Sequence, residues 1–406
     1  MAGLAAGIAG GQWPLAIAGG GLAAVTFFLA PEMLGFVFGG GLYLMARTID
    51  LGAGELYLLN VGSFLLPLYF MIVFVLLRKR AGTLARLLRC WEFWAVSGLW
   101  LLLLAGLPGS LDADYGLQKV KYYLANNLVC FFGPVLASAA WGKRGLHRFL
   151  KGVFLGGLAL TAYFWISASY LDLPLNIYAV LDFNPIGLSR LVGVFFLLAV
   201  CAGFLPLRAP VRLALAVAAG CAMVLLDARG PALALVLALL WAGLVHPDPR
   251  FRLFPVLSLL VFILLAALVP LYHWMSPHLF SLDDTGRLGF YHAALAVFAQ
   301  NPLTGAGTGS FAALAPVEGV LYPHNLFLET AAELGVLGLA LSVALVFAPW
   351  GRLALARRRD GDITLAGALL VYCFVNAMVS GDITTNFLLW LAAGVTASLV
   401  VAREED

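Results

Sequence analysis

Charge is scarce in this chain: acidic and basic residues together make up only 11% of its 406 positions, against about 25% in an ordinary soluble domain. Hydrophobic residues make up 63%, which excludes a conventional water-soluble globule. The formal net charge of +3 is too small for a nucleic-acid partner. Cysteine is also sparse. Cys90, Cys130, Cys201, Cys221 and Cys373 lie in or beside apolar runs with no CxxC pair or metal-ligand spacing. They read as small core residues rather than a disulfide framework or a redox pair. Met1-Ala2-Gly3 lacks the basic start of a cleaved secretory signal, so insertion through the first hydrophobic segments is expected. No inverted internal repeat of the secondary-transporter kind is visible.

What the chain has in abundance is apolar runs near the ~20 residues needed to cross a bilayer. They fall at 56–77, 91–107, 122–140, 152–170, 190–206, 211–227, 231–245, 253–271, 324–349, 362–380 and 384–402. A further stretch, 13–46, contains Ala30-Pro31-Glu32 and crosses either once or twice. The expectation is an all-α polytopic membrane protein of about 12 transmembrane helices, with residues 1–406 forming one membrane domain.

Every second connection is basic: Arg78-Lys79-Arg80 with Arg86 and Arg89, Lys143-Arg144 with Arg148 and Lys151, Arg208 with Arg212, Arg250 with Arg252, and Arg357-Arg358-Arg359. Placing these in the cytoplasm puts 108–121, 171–189, 228–230, 272–322 and 381–383 on the other side. The 272–322 loop is much longer than ordinary helix connections, and long loops on rigid scaffolds carry function.

On that outer side three arginines stand at helix ends, where the positive-inside bias works against them: Arg190, Arg229 and Arg287. Arg229, in Asp227-Ala228-Arg229-Gly230-Pro231, separates two apolar helices and serves either a ligand or a salt bridge to Asp227. Arg287 follows Asp283-Asp284-Thr285-Gly286. Asp284 or Thr285 is the expected helix cap, and a cation in the first turn calls for an anion, either one of the aspartates or a bound phosphate. Arg190 has Asp182 as its nearby structural alternative.

Tyr322-Pro323-His324-Asn325 leads into a helix, with Pro323 suited to its first turn. A histidine at a helix amino terminus is disfavoured as imidazolium, which suits a general base; the alternative is an interfacial capping residue. Glu329 and Glu333 share a face of the same helix and are expected to pair with a cation inside the bundle. Asn301 to Phe311 looks superficially like a phosphate loop but lacks Gly-Lys-Ser/Thr, leaving a glycine-rich turn that approaches a ligand or a neighbouring helix. The 272–322 segment has no Asp-x-Asp pair, so neither a catalytic metal nor a cofactor is expected.

Taken in order, these residues resemble the bacterial O-antigen ligases and their relatives, the O-antigen polymerases and protein O-oligosaccharyltransferases. His324-Asn325, nine residues, then Gly335-Val336-Leu337-Gly338 fits that family's histidine element. Arg229-Gly230-Pro231-Ala232-Leu233 fits its Arg-x-x-x-Leu element, with Ala228 where the family often has Ser. Gly286-Arg287, a helix and Pro302-Leu303-Thr304-Gly305-Ala306-Gly307 resemble its Gly-Arg, helix, Pro-Leu-x-Gly-x-Gly segment, and Ser189-Arg190 its additional outward arginine. The motifs cover roughly 189–340; elsewhere the likeness is hydropathy and helix number.

The resemblance implies a GT-C-like, lipid-donor glycosyltransferase of the bacterial inner membrane, multi-pass, with its active site facing the periplasm. It implies transfer of a glycan from undecaprenyl diphosphate to lipid A core oligosaccharide, inverting and metal-independent, within membrane lipid. His324 would be the catalytic base and Arg190, Arg229 and Arg287 the diphosphate ligands, supported by Asn325, Glu329, Asp283 and Asp284. The alternatives with the same donor are a polymerase and a protein O-oligosaccharyltransferase. From another class, a lipid-linked glycan flippase or transporter would set its charges near the membrane midplane.

Overall fold

A computed structural model describes residues 31–41, 88–169, 185–273, 286–315, 320–355 and 360–403. Among them the chain is all-helical: α1 (Pro31–Phe36), α2 (Trp91–Ala105), α3 (Ala113–Tyr122), α4 (Val129–Ser169), α5 (Pro185–Cys201), α6 (Ala209–Leu225), α7 (Arg229–Val245), α8 (Pro249–His273), α9 (Arg287–Gln300), α10 (Phe311–Leu314), α11 (Leu326–Leu355), α12 (Gly361–Val379) and α13 (Phe387–Arg403). Four described helical stretches are long and apolar enough to cross a membrane: Trp91–Gly109, Ala113–Ser167, Leu326–Leu355 and Gly361–Val379. Five shorter apolar helices accompany them. The expected segment 56–77 and most of 13–46 lie outside the described residues. Pro31 opens α1, a position where its missing N–H costs nothing.

Two of the helices reverse. In α4, Trp141 and Gly142 leave helical geometry, Gly142 at φ 61°. A side chain at Gly133 would lie 3.0 Å from the Phe149 ring; 16 residues of straight helix would span about 24 Å. The two arms therefore lie side by side, matching the two runs expected at 122–140 and 152–170. In α11 the break is Gly335, at φ 69°. Thr330 Oγ1 lies 2.9 Å from Ser342 Oγ, and the Phe327 and Phe347 rings are 6.5 Å apart, where a straight helix would separate them by about 18 and 30 Å.

The run expected to cross as one segment over 324–349 is thus a short front arm, 326–334, folded against a long arm, 336–355. Only glycine tolerates this backbone without strain, and hydropathy cannot register a reversal between two apolar arms.

The amino end of α12 is basic territory. Lys143 Nζ lies 2.6 Å from Asp362 Oδ2, and His147 Nε2 3.1 Å from the same oxygen. Nearby in sequence, Arg148 pairs with Glu32 at 2.6 Å. The Arg212 guanidinium gathers the carbonyls of Ala199, Ala202, Leu205 and Leu207, capping the end of α5. At the opposite, carboxyl end of α12, Met378 O accepts from Asn325 Nδ2 at 3.1 Å and Tyr291 Oη at 3.3 Å. The His324 loop and the helix carrying Arg287 are therefore fixed at one end of the bundle, a helix length from the basic loops.

Candidate functional site

The front arm of α11 begins at Leu326, three residues later than a start at Pro323. Asn325 Oδ1 accepts from Phe327 N and Leu328 N, both at 3.1 Å, and so caps the helix. That leaves His324 just outside it, held at φ 58°, a conformation unusual for a non-glycine residue. The ring sits 4.7 Å from Tyr322 and 5.9 Å from Phe290. His324 Nδ1 is buried and has no hydrogen-bond partner among the described residues. Burial first, then the Arg287 and Arg190 charges, hold its pKa below the ordinary histidine value against an opposing pull from Asp382. The neutral imidazole expected from sequence is favoured, chiefly by desolvation and two cations. Burial, then the charges of Asp382 and Glu329, push the neighbouring Tyr322 hydroxyl up, so it stays protonated.

His324 opens onto a cavity of about 420 Å³. Its walls come from α3 and the following turn (Tyr115, Gln118, Lys119, Tyr122, Asn126), from α5 (Ile186, Gly187, Arg190), and from the 321–324 loop. The connection between α12 and α13 (Ser380, Gly381, Asp382, Thr384, Thr385) closes it with Phe387 and Leu388.

Arg190, buried in the second turn of α5, donates from Nη2 to Ser380 O at 2.7 Å and from Nη1 to Thr385 O at 3.4 Å. Those contacts demand a glycine at 381: a side chain there would come within 3.0 Å of the guanidinium, and φ is +76°. Asp382 organises the same connection. Its Oδ1 accepts from Thr385 N at 2.8 Å and Thr385 Oγ1 at 2.7 Å, and its Oδ2 from Tyr115 Oη at 3.1 Å. Two buried cations, Arg190 and Lys119, one carboxylate and one neutral imidazole therefore share a recess lined with hydroxyls and amides.

The remaining sequence candidates distribute around this recess. Arg287 is close enough to act on His324 through its charge but does not line the cavity. Its helix starts from Gly286 at φ 78°, with no side-chain cap, so the cap expected from Asp284 or Thr285 is replaced by a left-handed glycine. Asp283 and Asp284 lie outside the described residues, as does Asp182. Arg229 opens α7 behind Ala228, and a side chain at Gly230 would meet Val379 at 2.9 Å. Arg229 thus stands at the same end of the bundle without reaching the cavity wall.

Glu329 does not line the cavity but pairs with Lys119, which does. Lys119 Nζ lies 2.7 Å from Glu329 Oε1 and 2.8 Å from Glu333 Oε2, the cation that the pair of glutamates was expected to find. The glycine-rich turn is a brace against a neighbouring helix: Ala306 N and Gly307 N donate to the Ala332 and Glu333 carbonyls at 2.9 and 3.0 Å, and Val336 N to Pro302 O at 2.8 Å. The Pro-Leu-x-Gly-x-Gly and Gly-x-x-Gly elements are two halves of one joint, with Gly305 and Gly335 admitting the close backbone approach.

Asp382, Tyr115 and Lys119 were not singled out in the sequence. The legible signal was the polar run Ser380 to Asn386 between two apolar helices, where unpartnered polar groups are costly.

An all-helical bundle with membrane-length helices and a charged, hydroxyl-lined cavity at one end defines a membrane protein with a polar-ligand site. Residues 214–343 match a family model described as O-antigen ligase. The match takes in Arg229, Arg287, the glycine-rich brace and His324, and ends before Asp382. That family carries a glycosyltransferase-like ligase activity on lipid-linked glycan and acceptor substrates in a membrane. No curated protein matches the chain.

Proposed function

We propose that this protein is an O-antigen ligase of GT-C-like type, with about 12 crossings in one membrane domain over 1–406, part of the site being carried by the outer loop 272–322. It transfers a glycan from undecaprenyl diphosphate to lipid A core oligosaccharide at the periplasmic face of the bacterial inner membrane. The observation that carries the reading is the meeting of His324 and Arg190 on one cavity, at the end of the bundle away from the basic loops.

In the reaction, an acceptor hydroxyl oxygen attacks the anomeric carbon while His324 takes its proton. The bond from that carbon to the diphosphate oxygen breaks, and the diphosphate leaves with the electron pair. Arg190 and Arg287, with Arg229 behind them, stabilise the charge that develops there. Attack opposite the leaving group inverts the anomeric centre, and no metal is called for. Asp382 acts as a positioning residue, holding the connection that receives Arg190. Asn325 sets the loop, and Glu329 braces α11 through Lys119. Asp283 and Asp284 stay as supporting residues of the outer loop.

The test is transfer by purified protein in detergent with chelator present, from undecaprenyl diphosphate glycan to rough lipopolysaccharide, comparing wild type with His324→Ala. Transfer by wild type and none by the variant is expected. Elongation of the carrier-linked glycan with the acceptor untouched would overturn the ligase in favour of the polymerase. Donor binding without any transfer would favour a flippase or transporter.

A further inference from the structure

Beyond the charged groups, the cavity has a neutral wall. Gln118, Tyr122 and Asn126 follow one another at four-residue spacing and all line it, because positions four apart share a helix face. Asn126 and Asn127 lie inside the apolar run 122–140, where an amide without partners is costly. Asn127 is accounted for: buried, it donates from Nδ2 to Ile383 O at 2.8 Å and ties the turn to the Asp382 connection. Asn126 is half-buried, makes no side-chain hydrogen bond among the described residues, and faces the cavity.

Two consecutive amides serve different neighbours, as adjacent residues on a helix point in different directions, and the backbone over Tyr123–Leu128 that carries them is a π-helix. Such single wide turns inside α-helices are frequent at functional sites. Within it, Asn126 lines the cavity while Asn127 reaches the connection.

Gln118, Tyr122 and Asn126 carry no charge, and Lys119 beside Gln118 on the same wall is already paired with Glu329 and Glu333, so this side of the cavity matches a neutral polyhydroxylated ligand better than a second phosphate. Amides donate and accept at once, and a tyrosine offers an apolar ring with a polar tip. The volume of about 420 Å³ lies within the usual range of small-molecule sites, about 300–1,000 Å³.

We propose that Gln118, Tyr122 and Asn126 form the subsite for the sugar bonded directly to the carrier's diphosphate, and that Asn126 and Gln118 decide which pyranose is accepted there. This assignment rests on the donor reading given above. The sugar would lie along α3, its diphosphate toward Arg190 and its anomeric carbon within reach of an acceptor held at His324.

The experiment is equilibrium binding to the full-length protein in detergent, with polyprenyl diphosphate bearing no sugar, one hexose or one N-acetylhexosamine. Wild type is expected to bind one sugar-bearing carrier at least about tenfold more tightly than the bare carrier, a difference of ~1.4 kcal/mol. Asn126→Ala with Gln118→Ala should abolish that preference while leaving bare-carrier affinity within about twofold. Asn126→Gln, which keeps an amide but moves it outward, should change the ratio between hexose and N-acetylhexosamine.

A preference that survives both changes would overturn the subsite, and so would an equal loss of bare-carrier binding, which would mark the residues as structural. If wild type binds no carrier in any form, the donor reading itself fails and the subsite falls with it.

Discussion

Lys119 Nζ lies 2.7 Å from Glu329 Oε1 with both side chains withdrawn from solvent, and the same ammonium contacts both oxygens of Glu333 at 2.8 Å. Glu333 Oε2 also accepts from Gly309 N at 2.9 Å. One lysine therefore joins α3, which walls the cavity, to the front arm that carries His324 at its start, and through Glu333 to the glycine-rich brace. Lys119→Met strands two buried carboxylates, and breaking one side of a buried ion pair typically costs about 3–5 kcal/mol. A large drop in the thermal unfolding midpoint in detergent is expected. Adding Glu329→Gln and Glu333→Gln to the same variant should recover much of it. A single variant as stable as wild type would contradict this.

Asn325 closes the front arm from outside, and its two roles separate by substitution. Asn325→Ala removes the acceptor for Phe327 N and Leu328 N and should cost about 1 kcal/mol, together with a loss of transfer as the His324 loop loosens. Asn325→Asp keeps the cap but gives up the donor to Met378 O. It should retain stability while still losing activity. Unfolding midpoints and initial rates, measured side by side, check the pair.

Gly335 is the turning point of α11, and its replacement tests the reversal directly. A Cβ there would lie 2.4 Å from Leu303 O in a backbone at φ +69°. Gly335→Ala enters a backbone region that is essentially glycine's alone, at a cost of about 1–3 kcal/mol, and meets a backbone overlap that moves the brace. Poor yield of folded protein is expected. Gly351→Ala, on the long arm with nothing within 4 Å of the new carbon, should be neutral or stabilising by up to about 1 kcal/mol.

These contrasts show which parts of the molecule were written locally. Run ends were legible because the bilayer imposes length and apolarity: 231–245 became Arg229–Val245, and 362–380 became Gly361–Val379. The histidine was legible from its place at a polar-to-apolar boundary, and the glutamates from the cost of burying them alone. Reversal at Gly335 was hidden because an apolar arm looks the same before and after a turn. Asp382 was hidden because it stands alone in a three-residue connection between two apolar runs. Its carboxylate gains weight only when Tyr115, 267 positions earlier, arrives as a partner.

The opposed charges around His324 give the sharpest test of its role. Its pKa is held low by burial and by the positive charges of Arg287 and Arg190, and is pulled up by Asp382. A general base must be neutral, so transfer should fall with decreasing pH through an acid limb lying below about 6.5, the unperturbed histidine value. Arg287→Ala removes a repelling cation, protonation becomes easier, and the limb should move to higher pH. Asp382→Asn removes the stabilising anion, protonation becomes harder, and the limb should move to lower pH. Both variants lower the rate at the plateau, so the limb position, taken from kcat/KM against pH, is the quantity that discriminates. A histidine that only caps the loop would leave the rate profile unmoved by either change, whereas shifts of opposite sign from residues on either side of it require that its proton enter the rate.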